Sequence, residues 1–469
     1  MVAADTVPSI AGVAPEQDLA TDAPPSLWWP LARFAIPQSA SAALQLLSGT
    51  VTAIYFGQLL GESALAVASV FFPIFFLLVS FLIGLISGGI ILVARAHGAD
   101  DPDGIRTAAG TTLCVCFWLS VAIAVIGYGF APQLLGLMAT PSDIVAPATD
   151  YARVTFLSLP LVTLVFAYAF LLRGTGDAKT PLIVMSVYFG TALLLTPALI
   201  LGWGGLPKLG VTSAPWANIV ACAISLPYLV VLLHKRDHAL ALRKDLIRRL
   251  RIDRELVGPF FGLGIPGGLQ TMVASLAEVA VITLVNSFGS SATAAYGAVN
   301  QVVGYLLAPM QAVGLAATVI AAQSIGAGRF GQLHGVVKTG AAMNVLVGAV
   351  SVTGLLSFAE TILSWFVTDA ATLAMAERAL KLTLWSYVLV GVADVLVGVM
   401  RASGAVGWPT VIALSGIWLV QVPVAFVSSG TYGLDGVWMG YPAGFAAALA
   451  AQFVYFGLVW RQRGLPSRL

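Results

Sequence analysis

The sequence predicts an all-α polytopic membrane protein in which twelve transmembrane helices form two pseudo-symmetric six-helix lobes around a central cleft. Three observations lead to this prediction. The 469 residues are 59% hydrophobic and only 9% charged, apolar stretches long enough to cross a bilayer recur along the whole chain, and motifs repeat at a constant offset of 228 residues. A repeat of this length in a membrane chain indicates two bundles that face each other.

The apolar stretches place the chain in a membrane, because a soluble protein carries more charge than this. Mean hydropathy is +0.93. About 20 helical residues, at about 1.5 Å each, cross the roughly 30 Å of hydrocarbon, and a helix makes all its backbone hydrogen bonds internally. Twelve stretches are long enough: 31–55, 64–94, 107–131, 151–172, 181–203, 214–233, 257–287, 292–324, 336–359, 379–400, 408–428 and 436–460.

The repeat relates the first six spans to the last six. The matching pairs are Gly61 with Gly289, Gly98 with Gly326, Ala99 with Ala327, Arg173 with Arg401, Gly176 with Gly404, and Pro181 with Pro409. Because six spans return the chain to the side on which it started, the two halves have the same topology. They are therefore predicted to be related by an axis along the membrane normal, without inversion.

Basic residues predict the orientation, since Lys and Arg collect in cytoplasmic segments. With a cytoplasmic N-terminus, 19 of the 23 Lys and Arg residues fall in inside segments. Both termini are therefore predicted to be cytoplasmic, and the protein is predicted to be a multi-pass protein of a bacterial inner membrane.

The chain divides into five predicted regions. These are a disordered tail at 1–29, an N-lobe at 30–233, a basic linker at 234–256, a C-lobe at 257–462 and a second tail at 463–469. The linker is interpreted as a solvated connector that lies on the anionic inner leaflet, with a specific binding patch as the alternative.

Enzyme motifs are missing or out of context. Residues 262–267 and 326–331 match G-x-G-x-x-G, but neither follows a strand, and 48 glycines make chance matches common. The chain has no phosphate-loop motif, and its four histidines fall in loops or at helix ends. The chain is predicted to be no enzyme, to carry no cofactor and to bind no nucleic acid.

Two acids stand apart, because Glu278 in the seventh span and Asp394 in the tenth are the only ones of 21 that lie well inside a span. An aspartate at the bilayer centre costs about 2.5 to 3.5 kcal/mol on insertion scales, so such acids usually have a function. Thr271 and Ser275 share a helix face with Glu278. Asp394 shares its face with Tyr387, Gly391, Gly398 and Arg401. Glu278 and Asp394 are predicted to bind H⁺ or Na⁺, and the alternative is that each only ties two helices together.

The first span, which the repeat places opposite the seventh, offers polar residues without charge. Its face carries Gln38, Gln45, Gly49 and Thr52. A coupling cation is therefore predicted to bind in the C-lobe. Further polar anchors for a ligand are Gln270, Asn300 and Gln301, for which interhelical hydrogen bonding is the alternative.

Several segments together resemble the multidrug and toxic compound extrusion (MATE) transporters, and the resemblance runs from about residue 33 to 460. The segments are 61–66 (GESALA), 92–100 (LVARAHGAD), 172–181 (LRGTGDAKTP), 298–301 (AVNQ) and 323–328 (QSIGAG). The resemblance implies two six-helix lobes around a cleft, and export of organic cations and other amphipathic compounds in exchange for Na⁺ or H⁺. The protein is predicted to be a monomer that is surrounded by the lipid bilayer.

The chain departs from this family at one position, because many bacterial members carry an aspartate on the first helix where Thr52 stands here. Family members with a C-lobe site use acids on helices seven and ten. Glu278 and Asp394 resemble these acids, but each lies about one helical turn from the depth that is usual in the family. Two other functions remain open: a flippase for a lipid-linked sugar in the same superfamily, and a channel or receptor without coupled transport.

Arg173 and Arg401 occupy equivalent cytoplasmic helix ends in the two repeats. A cation there can cap the last carbonyls of its own helix or hold the two lobes closed on the inner side. A gating role is therefore predicted for both, and the alternative is that they mark topology only.

Overall fold

The computed structural model describes residues 26–137, 140, 144–367 and 369–462. In this part of the chain there are helices and turns but no strand, and twelve helical segments are long and apolar enough to cross a membrane. We number them spans 1 to 12: Trp28–Leu60, Phe75–Gly98, Pro102–Gly136, Val145–Gly174, Lys179–Leu201, Gly210–Lys235, Arg254–Asn286, Ser290–Gly326, Gln332–Ser357, Ala370–Ala402, Gly407–Tyr432 and Leu434–Trp460. The twelve-helix prediction is confirmed.

Two regions of the prediction fall outside this description: most of the tail at 1–29, and all of the tail at 463–469. The helix of span 2 begins at Glu62, before the most apolar part of that span. Span 1 begins and span 12 ends at the same end of the bundle, which we call the termini end.

Span 10 begins nine residues before the predicted 379. Its first segment, Ala370–Thr383, carries three charged residues and so lacks the continuous apolar pattern of a span. Asp369 caps this segment, because its carboxylate accepts hydrogen bonds from the Thr372 amide at 2.9 Å and the Thr372 hydroxyl at 2.7 Å. A 3₁₀ turn at Leu384–Ser386 joins it to the second segment, Tyr387–Ala402.

The repeat is visible in the backbone of the turns. Positive φ angles recur at an offset of 228 residues, at Gly61 and Gly289, Asp100 and Gly328, Gly176 and Gly404, and Gly205 and Gly433. Left-handed backbone favours glycine, which explains why glycine fills seven of these eight positions. The two halves therefore turn in the same way at the same places.

Apolar side chains hold each lobe together and also join the two lobes. Spans 2 to 6 of the N-lobe bury Leu171 and Leu229 in one cluster, and the C-lobe buries Leu384 and Trp438 in another. A third cluster at the termini end contains residues of both lobes, among them Leu31, Ile91, Ala317 and Met400. The lobes therefore share a core at that end.

Glycines allow span 2 of the N-lobe to lie directly against span 7 of the C-lobe. A Cβ atom added at Gly84 would lie 2.1 Å from the Gly268 nitrogen, and one added at Gly88 would lie 2.9 Å from the Gly264 nitrogen. Close contact of this kind depends on small residues, which let helix backbones approach. Span 8 crosses between the lobes as well, where it packs against spans 1 and 2.

The linker between the lobes is packed against the N-lobe and is less solvated than its composition suggests. Leu240 and Leu246 are buried, and the Tyr168 hydroxyl donates a hydrogen bond to the Leu240 carbonyl oxygen. A short helix, Lys244–Arg248, lies in this linker. The chain then follows span 3 before span 7 begins.

Candidate functional site

Glu278 is exposed on span 7, among tyrosines of three other spans. Its charge lies within electrostatic range of the Tyr296, Tyr387 and Tyr441 hydroxyls, on spans 8, 10 and 12. We call these three residues the tyrosine cluster. Tyr387 was expected to line the site. Tyr296 and Tyr441 were not identified from the sequence, where a single tyrosine in an apolar span carries little signal.

Ring contacts fix the tyrosine cluster in place. The hydroxyls of Tyr296 and Tyr441 lie 3.5 Å apart, and the Tyr296 ring stacks on Trp438 with 5.9 Å between ring centroids. Tyr387 lies 6.4 Å from Tyr441 and 5.1 Å from Phe445, centroid to centroid. All three tyrosines are buried, so the cluster forms a fixed wall of rings and hydroxyl groups beside the Glu278 carboxylate. Such surroundings favour positive charge at the carboxylate, because rings and oxygens both attract it.

Asp394 is half-buried on span 10, at a different level from Glu278. It lies seven residues beyond Tyr387 toward the termini end, which is about 10 Å along a helix. Its helix face packs on span 8, since a Cβ atom at Gly314 would lie 3.2 Å from the Asp394 Cβ. In the part of the chain that the structure describes, no hydrogen bond or ion pair joins Asp394 to Glu278. Each acid thus has its own surroundings.

A buried amide supports the same face of span 10. Asn344 on span 9 is fully buried and donates a hydrogen bond of 2.7 Å to the Gly391 carbonyl oxygen. A Cβ atom at Gly391 would lie 3.0 Å from the Asn344 Oδ1 atom, so only glycine leaves room for this contact. The sequence analysis did not single out Asn344, although an amide in an apolar span is the kind of residue that holds helices together.

Arg401 is the charge partner of Asp394 within the C-lobe. The two lie seven residues apart on one helix face and interact electrostatically. Arg401 also donates a hydrogen bond to the Gln270 side chain on span 7. Gln270 is therefore held by Arg401, and both residues belong to the C-lobe, so this contact does not bridge the lobes.

Arg173, the repeat equivalent of Arg401, has different surroundings. It is only 4% exposed, and its guanidinium lies 4.2 Å from the centroid of the Phe170 ring. The position equivalent to Asp394 is Phe166, so the N-lobe lacks the acid that accompanies Arg401. The two lobes share a scaffold and differ in charge at this level.

The remaining polar candidates include exposed side chains and side chains that are bonded within their own helices. Asn300, Gln45 and Thr271 are exposed, and the Asn300 side chain is hydrogen-bonded to Tyr296. Three hydroxyls donate to carbonyl oxygens of their own helices: Thr52 to Ser48 at 2.8 Å, Thr271 to Gly267 at 3.1 Å and Ser275 to Thr271 at 3.0 Å. Gln38 buries its Oε1 atom without a hydrogen-bond partner among the described residues.

Gln301 bridges the two lobes through span 1. Its side-chain amide donates a hydrogen bond of 3.0 Å to the Thr50 hydroxyl, and that hydroxyl lies 3.5 Å from the Tyr305 hydroxyl. Gln301 and Tyr305 are both on span 8, so these contacts join spans 1 and 8. Thr50 lies two residues from Thr52, which was predicted to line the cleft.

At the termini end, two side chains cross between the lobes and cap helix ends of the opposite lobe. Arg95 on span 2 donates from its Nε atom at 3.0 Å and from a terminal nitrogen at 2.7 Å to the carbonyl oxygen of Ala402, at the end of span 10. Gln323 on span 8 donates at 3.0 Å to the carbonyl oxygen of Gly174, at the end of span 4. We call these four residues the lobe clamp.

The lobe clamp obeys the repeat symmetry. Arg95 and Gln323 are 228 residues apart, and so are Gly174 and Ala402. Each lobe therefore contributes one capping side chain and one capped carbonyl group, as expected around a two-fold axis.

The backbones next to the lobe clamp are in direct contact. A Cβ atom at Gly98 would lie 1.9 Å from the Gln323 carbonyl oxygen, and one at Gly326 would lie 1.9 Å from the Arg95 carbonyl oxygen. Gly98 and Gly326 are themselves a repeat pair. No passage remains at this crossing, so the path between the lobes is closed at the termini end.

Arg173 and Arg401 thus stand next to the closure, while the contacts across it come from spans 2 and 8. A gating role for Arg173 and Arg401 stays a prediction, and each of them lies one residue before a carbonyl group that the lobe clamp caps. Arg95 and Gln323 lie inside two of the segments that carry the family resemblance. Because they are different residue types, a search for identical residues at equivalent positions of the two halves does not pair them.

Two lobes of six spans, with an acid and an aromatic cluster between the helices and a closure at one end, define a polytopic membrane transporter. The chain belongs to the MatE family, the multidrug and toxic compound extrusion transporters, because a MatE family model matches residues 37–198 and 266–427. One matched segment lies in each half of the chain. The resemblance seen in the sequence is confirmed, and the family consists of membrane transporters.

Relatives and solved structures agree with this family. The "Probable multidrug resistance protein YoeA" of Bacillus subtilis (strain 168) is 43% identical over 94% of this chain and 95% of its own length. The "Multidrug export protein MepA" of Staphylococcus haemolyticus (strain JCSC1435) is 23% identical over 92% and 94%. A solved structure described as an outward-facing conformation of a multidrug resistance MATE family transporter has a TM-score of 0.83 at 22% identity, and covers 91% of this chain and 94% of its own. That likeness shows the shared fold.

Proposed function

We propose that the protein is a cation-coupled antiporter that exports organic cations, drugs and other amphipathic compounds by alternating access. It would act in a bacterial inner membrane with both termini, and hence the termini end, in the cytoplasm. The observation that carries this proposal is the exposed Glu278 among the tyrosine cluster, in a bundle whose lobes are held together at the termini end by a repeat-symmetric contact. The relatives named as multidrug resistance and export proteins support drugs over a lipid-linked sugar as substrates.

Substrate and coupling cation compete for Glu278 in this proposal. An organic cation gains from the tyrosine rings and from the carboxylate at once. A Na⁺ ion would take the carboxylate and the neighbouring hydroxyl or amide oxygens, such as that of Asn300, whereas H⁺ would neutralise the carboxylate. Either ion removes the charge that the substrate needs, so ion entry releases the substrate.

Asp394 has a second role, which connects ion binding to the movement of the lobes. It lies on the same helix as Arg401, and that helix ends at the carbonyl group that Arg95 caps. A change in the charge of Asp394 alters its attraction to Arg401 and hence the position of this helix end. The lobe clamp is the element that such a shift would open or close.

Proteoliposomes test the coupling. We expect wild-type efflux of a fluorescent organic cation to follow an imposed Na⁺ gradient or an imposed pH gradient, applied in turn. Glu278→Gln and Asp394→Asn should each reduce gradient-driven efflux to the level of protein-free vesicles, since each change removes charge at nearly constant volume. Persistent gradient-driven efflux in the double variant would contradict cation coupling at these residues.

Two control variants separate this effect from general damage. Glu360→Gln removes an exposed acid outside the spans and should leave efflux intact. Thr52→Ala changes the N-lobe face and should remain ion-dependent, because its hydroxyl is bonded within its own helix. Loss of ion dependence in Thr52→Ala, with efflux retained, would move the coupling site to the N-lobe. Currents too large for one substrate per cycle would instead indicate a channel.

A further inference from the structure

An open pocket at the termini end lies between the start of span 3 and the linker. It is lined by Asp103 and Arg106 of span 3 and by Asp245, Arg248, Arg249 and Arg251 of the linker. Four arginines and two aspartates leave an excess of positive charge. This pocket is formed by the N-lobe and the linker, and its lining includes neither Glu278 nor Asp394 nor any residue of the lobe clamp.

The arginines of this pocket fall into two pairs. Arg249 and Arg106 both pair with Asp103, at 3.0 and 3.3 Å, and Arg249 also donates to the Thr107 hydroxyl at 2.6 Å. These contacts build the wall of the pocket. Arg248 and Arg251 are exposed and make no side-chain hydrogen bond or ion pair with any described residue. They are therefore free to bind an anion.

The linker is held at a fixed depth along span 3. A Cβ atom at Gly110 would lie 2.0 Å from the Arg249 carbonyl oxygen, and the Asp253 amide donates to the Thr111 hydroxyl at 3.2 Å. Gly110 is eight residues into span 3, which is about 12 Å along the helix. The linker backbone thus lies beside the outer turns of a membrane helix, where lipid headgroups begin.

Apolar side chains point out of the same stretch of linker. Ile247, Leu250 and Ile252 are exposed by 51%, 37% and 50%, and they alternate with Arg248 and Arg251 along the chain. Exposed isoleucine and leucine would be costly in water but are accommodated at the acyl boundary, while arginine heads reach the phosphates.

We propose that this pocket binds the headgroup phosphate of an anionic phospholipid from the leaflet at the termini end, with Arg248 and Arg251 as its ligands. Charge complementarity and the adjoining apolar side chains favour a lipid over a free phosphate ion, because a free ion would gain nothing from Ile247 or Ile252. The linker, which joins the two lobes, is thereby attached to the membrane surface. This inference does not depend on what the protein transports.

Native mass spectrometry of protein released from nanodiscs tests the proposal. The nanodiscs would contain phosphatidylcholine with a minority of phosphatidylglycerol. Wild type should retain phosphatidylglycerol in preference to phosphatidylcholine. The variant Arg248→Gln with Arg251→Gln should bind it about 25-fold more weakly, since each basic residue near a membrane surface contributes about fivefold. Both residues are exposed, so folding should be unaffected.

The matched control is Arg329→Gln with Lys338→Gln, which removes two exposed positive charges from the same end of the C-lobe. This control should retain phosphatidylglycerol as wild type does. Equal retention in the pocket variant and wild type, or an equal loss in the control pair, would overturn the proposal. Complete displacement of the lipid by inorganic phosphate would assign the pocket to a free anion instead, which would also overturn it.

Discussion

His238 attaches the linker to the end of span 4 through Nε2, while its Nδ1 atom accepts a hydrogen bond from within the linker. Nε2 lies 3.2 Å from the Thr175 hydroxyl, and Nδ1 accepts a hydrogen bond of 3.1 Å from the Leu240 amide. Because Nδ1 accepts, the ring must be neutral in this arrangement. Burial lowers the pKa of His238 below its ordinary 6.5, against the charge of Asp177, which raises it.

This lowered pKa predicts a loss of stability in acid. Well above pH 6.5 the ring is neutral in both the folded and unfolded states, so it adds no pH dependence there. As the pH falls below that value, the unfolded chain takes up a proton that the folded protein resists. The free energy of unfolding should then decrease, by at most about 1.4 kcal/mol per pH unit for one group.

Thermal unfolding followed by tryptophan fluorescence at a series of pH values would measure this effect. His238→Gln keeps a side-chain acceptor but cannot titrate, and should unfold at a temperature that changes less between about pH 7 and pH 5. His334→Gln, an exposed histidine at the same end, should behave as wild type. Identical pH dependence in all three proteins would exclude His238 as the titrating group.

The sequence identifies some site residues and misses others for physical reasons. Glu278 and Asp394 could be found because a charge inside an apolar span is costly and therefore conspicuous. Tyr296 and Tyr441 could not, since their importance comes from meeting Glu278 and each other in three dimensions. Arg95 and Gln323 lie at equivalent positions but differ in type, so the repeat was visible at the neighbouring glycines and not at the capping side chains.

Among the helices, the crossing of spans 2 and 7 depends most on residue size. Gly84 lies against the Gly268 backbone, so Gly84→Ala must push two lobes apart. Overpacking of this kind typically costs about 1 to 3 kcal/mol. The unfolding temperature of Gly84→Ala in detergent should therefore fall. Gly190→Ala in span 5 is the matched control, because a Cβ atom there meets nothing within 4 Å and alanine is the better helix former.

The outcome of these two glycine substitutions can contradict the close crossing directly. Equal unfolding temperatures for Gly84→Ala and Gly190→Ala would mean that spans 2 and 7 are farther apart than described. The repeated glycines could be recognised from the sequence, whereas Gly84 and Gly268 do not share a repeat position and are brought together only by the packing of one lobe on the other. The early start of span 10 could not be predicted for a related reason. Its first segment is charged, and this helix is stabilised by the Asp369 cap and by its packing.

For the molecule as a whole, the lobe clamp determines which end is closed. Its two halves differ in strength, because a charged arginine with two donating nitrogens contributes more than a neutral glutamine with one. Any state that opens the path at the termini end must break both halves together, since both span the same pseudo-two-fold axis. The clamp therefore sets the balance between the two states of an alternating-access cycle.

Arg95→Ala with Gln323→Ala should accordingly shift the resting protein toward a state that is open at the termini end. Loss of about 2 kcal/mol from the clamp corresponds to a change of roughly 30-fold in the ratio of the two states. In a background in which the three native cysteines are replaced by alanine, a cysteine placed at Ser87, beside Gly267 at the crossing of spans 2 and 7, should then react faster with a membrane-impermeant thiol reagent applied from that side. Arg33→Ala, an exposed residue at the same end, should leave the rate unchanged.

The conservative variant Arg95→Gln distinguishes a clamp from a general requirement for positive charge. It gives both halves the same side chain, and because Gln323 already caps Gly174 with one amide, a glutamine at position 95 should still reach Ala402 and keep the termini end largely closed. Substrate binding to purified protein should stay close to wild type in all of these variants, while turnover in proteoliposomes should fall in the double alanine variant. If the Ser87 cysteine reacts at the wild-type rate in that variant, the contacts at the helix ends are not what holds the lobes together, and the closure rests on the glycine crossings alone.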